Sequence, residues 1–271
     1  MPELPEVETT RRGIEPHLLN RSVTALIVRQ PRLRWPVPEE LVELLPGQTI
    51  QAVQRRAKYL LLRLDRGTLI LHLGMSGSLR TLPADLPAQK HDHLDLILQD
   101  GRCLRLRDPR RFGAVLWQPD HADDHPLLRD LGPEPLGDGF NGLRLQRIAR
   151  SRRVAVKNLI MDSRVVVGIG NIYANEALFL ARIHPGRDCR RISAERYGRL
   201  AATITRVLAA AIEQGGTTLR DFSQADGNPG YFALSLKVYG REGEPCPACA
   251  RPIRQRRIGQ RSSFFCPRCQ R

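Results

Sequence analysis

The chain opens Met1-Pro2-Glu3-Leu4-Pro5-Glu6-Val7-Glu8, three carboxylates and two prolines in eight residues. Termini generally carry disposable residues. A small residue such as Pro at position 2 normally lets the initiator methionine be clipped, leaving Pro2 with a secondary amine, a nucleophile that no other residue offers. Pro5 suits a first helical turn, where its missing N–H goes unused. Val7, Ile14 and Leu18 then recur on one helix face. A helix starting near Pro5 turns its positive end toward the amine and lowers the amine's pKa. An α-amine near pKa ~8 is already partly neutral at physiological pH, as nucleophilic attack requires. Glu3 and Glu6 would stand beside it as proton-transfer groups. Acidic residues decorating a helix N-terminus account for the same octapeptide without chemistry.

A second constellation lies at the other end. Cys246-Pro247-Ala248-Cys249 and Cys266-Pro267-Arg268-Cys269 are two C-x-x-C knuckles with sixteen residues between them. That spacing fits one tetrahedral Zn²⁺ held by Cys246, Cys249, Cys266 and Cys269. Four protein ligands leave no open position, so the zinc is structural; about thirty residues cannot build a core unaided. The segment carries eight Arg against two Glu, which suits a hairpin facing DNA; a zinc ribbon for protein contacts has the same ligands. Cys103 and Cys189 stand apart as small packing residues.

Three shorter signals complete the set. Gly168-Ile169-Gly170-Asn171 lies between apolar 165–167 and the helical pattern 172–181. Such a turn lets backbone N–H groups and a helix N-terminus meet a phosphate, with Asn171 as a further donor; a plain tight turn reads the same. Asp108-Pro109-Arg110-Arg111-Phe112-Gly113 and Gly74-Met75-Ser76-Gly77 read as loops between strands. Apolar tips and an Arg there suit wedges that enter a base stack and fill the space of an extruded nucleotide. Burial of Met75 and Phe112 in a core is the plainer alternative. Lys58 lies between basic 55–56 and apolar 59–62, either partly desolvated or at a solvated strand end.

The elements that must position these residues are of two kinds. After the first helix, strands are expected at 23–28, 49–55, 59–64, 68–73, 94–98, 102–107 and 114–117. Asp65-Arg66-Gly67 and Asp100-Gly101 supply turns. Short strands with such turns suggest an antiparallel sandwich or barrel. In 102–107 leucines alternate with arginines, predicting one buried and one strongly basic face. Residues 131–139, rich in Gly and Pro, read as a linker. Beyond them helices dominate: in 193–214 Ser193 can cap, Tyr197, Leu200, Ile204, Val207 and Ala211 form a stripe, and Gly215 terminates.

The 271 residues carry a formal net charge of +15 and a pI near 10.5, which points to a polyanionic partner, nucleic acid by default. No apolar run reaches the length of a membrane span and no signal peptide opens the chain, so a cytoplasmic protein with no membrane partner is expected.

Taken together, these residues resemble the bacterial formamidopyrimidine-DNA glycosylase family over essentially the whole chain. The resemblance is carried by PELPEVE at the start, RRAKYLLL around Lys58, HLGMSGSL around Met75, KHDHLDL around His91 and DPRRFGA around Arg110. VVGIGNIYANE around Asn171, TTLRDF, GNPGYF and the four-cysteine finger complete it. It implies an α+β fold: an N-terminal antiparallel β-sandwich with a leading helix (1–132), a helical helix–two-turn–helix domain (133–240) and a four-cysteine zinc-finger hairpin (241–271). It implies a monomeric enzyme that removes 8-oxoguanine and ring-opened purines from double-stranded DNA and cleaves abasic sites by β,δ-elimination. Pro2 would attack the sugar C1′, Glu3 would protonate the ring oxygen, Glu6 would assist, Lys58 would serve elimination and contact phosphate, and Arg261 would act in δ-elimination. His91, Arg110, Arg152 and Asn171 would contact DNA, and Met75, Arg110 and Phe112 would fill the gap. Position 220 is Arg where the family often has Lys, and Arg152 stands where Lys is also common. The endonuclease VIII-type branch, acting on oxidised pyrimidines, shares the Pro-Glu start; Leu4, the DPRRF loop and the TTLRDF…GYF segment favour the purine branch. A non-catalytic zinc-containing DNA-binding protein would have the same basic surface.

Overall fold

The computed structural model describes residues 2–216 and 236–271. The TTLRDF and GNPGYF segments, and Arg220 with them, lie outside the described residues. The chain divides into two compact units, one containing residues 2–129 and 214–216, the other 130–213 and 236–271.

The first unit begins with helix α1 (Leu4–Leu18), followed by β1 (Val23–Val28), the single turn α2 (Leu41–Leu44), β2 (Ala52–Arg56), β3 (Tyr59–Leu64), β4 (Gly67–His72), β5 (Ser78–Pro83), β6 (Asp92–Leu98), β7 (Arg102–Arg107) and β8 (Ala114–Gln118). The strands form two four-stranded sheets, ordered β1-β6-β7-β5 and β2-β3-β4-β8, with every pairing antiparallel. Val7, Ile14 and Leu18 of α1 join leucines and valines from both sheets in one apolar core, as the seven-and-four spacing requires. Strand β5 escapes sequence reading: it follows a glycine loop, alternates weakly and ends at a proline.

Strand β7 corrects the expectation of a basic face. Arg105 is 2% exposed; its Nε and Nη2 donate to Asp95 on β6 at 2.8 Å each, and Nη2 also reaches Leu86 O at 2.9 Å. An unpaired guanidinium buried there would cost several kcal/mol. Two carboxylate contacts and two carbonyls instead make it a tie between the sheet and the 84–90 loop.

The second unit contains α3 (Gly142–Arg150), α4 (Val156–Met161), α5 (Asn171–Leu180), α6 (Ala194–Glu213), β9 (Arg254–Ile258) and β10 (Arg261–Phe265). The expected stripe of α6, from Tyr197 to Ala211, is buried, and α6 packs against α3 and α5. Helix α5 is buried on almost every side from Ile172 to Phe179, so it is an interior helix rather than an amphipathic one. Strands β9 and β10 pair antiparallel. Their small core of Ile253, Phe264, Cys246 and Cys266 includes Phe179 of α5 and Val238. The carboxylate of Glu176 on α5 accepts the backbone N–H groups of Lys237, Val238 and Tyr239 at 2.8–3.0 Å, fixing the chain as it enters the finger.

Candidate active site and nucleic-acid interface

The start of α1 is packed, not frayed. Pro2 is buried, Glu3 is 2% exposed and Glu6 is fully buried. Glu3 is the N-cap in an extended conformation, and its N–H donates to Glu6 Oε2 at 2.8 Å. This is the returning half of a capping box, with Glu in place of the usual Ser or Thr at the cap. Residue 216 closes on the same carboxylate: a Cβ added to Gly216 (φ +79°) would lie 3.3 Å from Glu6 Cγ and Oε1. The third carboxylate has a different role. Burial alone would raise the pKa of Glu8, but hydrogen bonds and charge from Arg11, Arg12 and Arg55 lower it. Arg55 Nε reaches Glu8 Oε2 at 3.1 Å, joining α1 to β2. Glu8 is thus a structural anion, whereas Glu3 and Glu6 are enclosed at the positive end of the helix beside Pro2.

Lys58 sits in the tight β2–β3 turn after Ala57 (φ +55°). Its charge acts on His72 at the end of β4. Burial, then Lys58 and Arg34, push the His72 pKa down to about 4 against the opposing pull of Asp108. The imidazole is therefore neutral at physiological pH, and Nδ1 accepts the Gly74 N–H at 3.0 Å, which places the ring proton on Nε2.

The two loops expected to carry wedges lie together. Phe112 is 44% exposed and Arg110 is exposed, with its guanidinium carbon 4.9 Å from the Phe112 ring centroid; Met75 is half-buried. Core packing of Phe112 is thereby excluded. His91 (φ +76°) stands edge-on to His93, ring centroids 6.2 Å apart, and its carbonyl accepts the N–H of Asp108, the first residue of the Arg110 loop.

In the second unit, Gly170 caps α5 and offers no side chain to the helix's first N–H groups. Asn171 Nδ2 donates to Ser262 O at 3.0 Å, while its Oδ1 is buried without a partner among the described residues. Lys157, fully buried, donates to the same Ser262 carbonyl at 2.9 Å and to Ser263 Oγ at 2.6 Å. Asn175 Oδ1 accepts the Phe264 N–H at 2.8 Å. These side chains hold β10 against α4 and α5, and Arg261 stands exposed at its first residue. Arg152 is part-committed elsewhere, its Nη1 3.1 Å from Asp162 Oδ2. Sequence reading missed Lys157, Asn175, His72 and Asp108. The signal available for Lys157 was a lysine at a core position of an otherwise apolar helical run.

The sulfur atoms of Cys246, Cys249, Cys266 and Cys269 lie within 4.8 Å of one another, with Cys246–Cys269 at 4.0 Å and Cys249–Cys266 at 3.5 Å. Zn–S bonds of about 2.3 Å in a tetrahedron set sulfurs roughly 3.8 Å apart, so the four fit one zinc ion, which is structural.

Three family models match successive parts of the chain: the formamidopyrimidine-DNA glycosylase N-terminal domain over residues 1–115, the H2TH domain of the same enzymes over 131–223, and a zinc finger found in FPG and IleRS over 243–271. The formamidopyrimidine-DNA glycosylase of Alkalilimnicola ehrlichii is 60% identical and that of Thioalkalivibrio sulfidiphilus 61%, each over all of both chains. Among solved structures, the MutM (Fpg) protein of Thermus thermophilus is similar with a TM-score of 0.89 at 41% identity, over 99% of this chain and 98% of that one. Lactococcus lactis Fpg in complex with abasic-site DNA gives 0.91 at 33%, over 99% of each.

Proposed function

The chain belongs to the formamidopyrimidine-DNA glycosylase family, and from that premise we propose that it excises 8-oxoguanine and ring-opened purines from duplex DNA and cleaves the resulting abasic site, acting as a monomer. With Met1 removed, the Pro2 nitrogen attacks C1′ of the lesion nucleotide, the N-glycosidic bond breaks, and the departing base takes up a proton as the amine gives up its own. Glu3 gives a proton to O4′ as the sugar ring opens. The product is an iminium, which has no N–H to lose because the amine was secondary, so its positive charge persists. That charge acidifies the C2′ proton; its loss expels the 3′ phosphate, and a second elimination expels the 5′ phosphate, leaving a one-nucleotide gap. Glu6, bonded to the Glu3 N–H, orients the helix start. Lys58 and Arg261 supply charge for the elimination steps, and His91, Arg152 and Asn171 contact the backbone. Met75, Arg110 and Phe112 offset the few kcal/mol of unstacking by filling the space left by the base. Zinc takes no part in the reaction; it holds the hairpin that bears Arg261.

The observation that carries this reading is the enclosure of Pro2, Glu3 and Glu6 at a capped helix start, an arrangement with no purpose for a disposable terminus. Incubation with an 8-oxoguanine duplex and borohydride is expected to trap a reduced protein–DNA adduct. Lesion DNA bound with no adduct formed would falsify the assignment.

A further inference from the structure

The two wedge loops, 74–77 and 108–113, meet at one residue. Asp108 is fully buried. Its Oδ1 accepts the Ser76 hydroxyl at 2.8 Å and the Arg110 N–H at 3.3 Å, and its Oδ2 accepts the Gly113 N–H at 2.7 Å. Its own N–H donates to His91 O at 3.0 Å, and its carbonyl lies 2.8 Å from His93 Nε2. The loops also touch along their main chains. A Cβ added to Gly74 (φ +62°) would lie 2.3 Å from the Phe112 carbonyl carbon, so the backbone there admits only glycine.

A single buried carboxylate thus serves donors from the Met75 loop and from both ends of the Arg110–Phe112 loop, with His91 on its other side. We propose that Asp108 is the positioning residue that makes Met75, Arg110 and Phe112 one rigid wedge. Filling the vacated stack and reading the opposite base then become a single event. This rests on the function proposed above. Loops ordered in advance need not be ordered at the moment of insertion, which lowers the barrier to entering the stack. The planar fork of Arg110, stacked on Phe112, is held where one guanidinium can meet O2 and N3 of an unpaired cytosine; adenine presents a donor there instead.

The test uses the full chain carrying Asp108→Asn, which keeps the shape but turns one acceptor into a donor facing donors, and separately Ser76→Ala, which removes only the cross-loop hydroxyl. Three quantities are read: 8-oxoguanine excision opposite cytosine, excision opposite adenine, and cleavage of an abasic site in single-stranded DNA, which offers neither a stack to fill nor an opposite base. Asp108→Asn is expected to lose about tenfold or more in duplex excision, the scale of one charge-assisted hydrogen bond. Its cytosine-over-adenine ratio should fall toward one while single-strand cleavage stays within about twofold. Ser76→Ala should shift the ratio the same way by less, and it decides the matter if the Asn protein does not fold. A retained ratio in the folded variants, or equal losses on single and double strands, overturns the proposal. A parent protein inactive on 8-oxoguanine overturns the functional reading instead. Fluorescence of 2-aminopurine opposite a stable abasic analogue reads wedge insertion without chemistry, and an unchanged signal in both variants also refutes the clamp.

Discussion

The sequence singles out Glu3 and Glu6 by their place beside Pro2, and the fold gives Glu8 its separate role. Glu8 meets three arginines and is an anion by necessity, whereas Glu6 spends one oxygen on a backbone N–H. Residue type and position pointed to the chemistry; the partners show what Glu8 does instead. His72 is the sharper instance, because its pKa of about 4 against an ordinary 6.5 has a measurable consequence. Below pH 6.5 the unfolded chain takes up a proton that the native imidazole refuses, so this group's contribution is complete above 6.5 and lost as pH falls toward 4. Between about pH 7 and about pH 5 the loss should be ~2 kcal/mol. Urea midpoints for the parent and His72→Gln test this: the parent should lose that much more than the variant. His125 and His184, also lowered by burial, are present in both proteins and cancel. Equal slopes would exclude a neutral, buried His72.

At the scale of elements, strands β1, β3 and β7 run where alternation and turn residues place them, and the α6 stripe is buried as its period demands. Alternation cannot reveal that Arg105 is buried, because its counter-ion belongs to a neighbouring strand. The same limit hides the residues behind the site. Ser76 meets Asp108 thirty-two residues on, and Lys157 meets Ser262 across 105. Such roles belong to pairs, and a pair distant in sequence leaves no local pattern. The finger joins both themes, since its ligands were legible and its anchorage to α5 was not. Removing zinc is expected to unfold residues 241–271. Asn171, Asn175 and Phe179 should lose their partners with it, so amide exchange should rise at the start of α5 as well as in the hairpin. DNA affinity should drop while the β-rich first unit keeps its protection. Exchange unchanged at α5 after verified chelation would show that the helix does not depend on the finger.

At the scale of the whole molecule, charge and fold agree on the partner. The +15 excess is carried mainly by arginines; ion pairs such as Arg105–Asp95, Arg55–Glu8 and Arg152–Asp162 cancel charge pairwise and leave that surplus unchanged. Among the described residues no helix is long and apolar enough to cross a membrane. The burial of Pro2 and Glu3 carries a further consequence, one of timing. The proposed nucleophile immediately precedes α1, and α1 packs against β2, β3 and β5, which follow it in the chain, and against residue 216, later still. Trimming of Met1 is therefore expected to be faster before folding than after it, and, with Pro2 as the proposed nucleophile, a Met1-bearing copy is expected to bind lesion DNA without incising it. Methionine aminopeptidase should process a peptide of the first twenty or so residues readily and the folded Met1-bearing protein far more slowly, as mass spectrometry would record. Equal rates would mean that the terminus stays open to correction after folding.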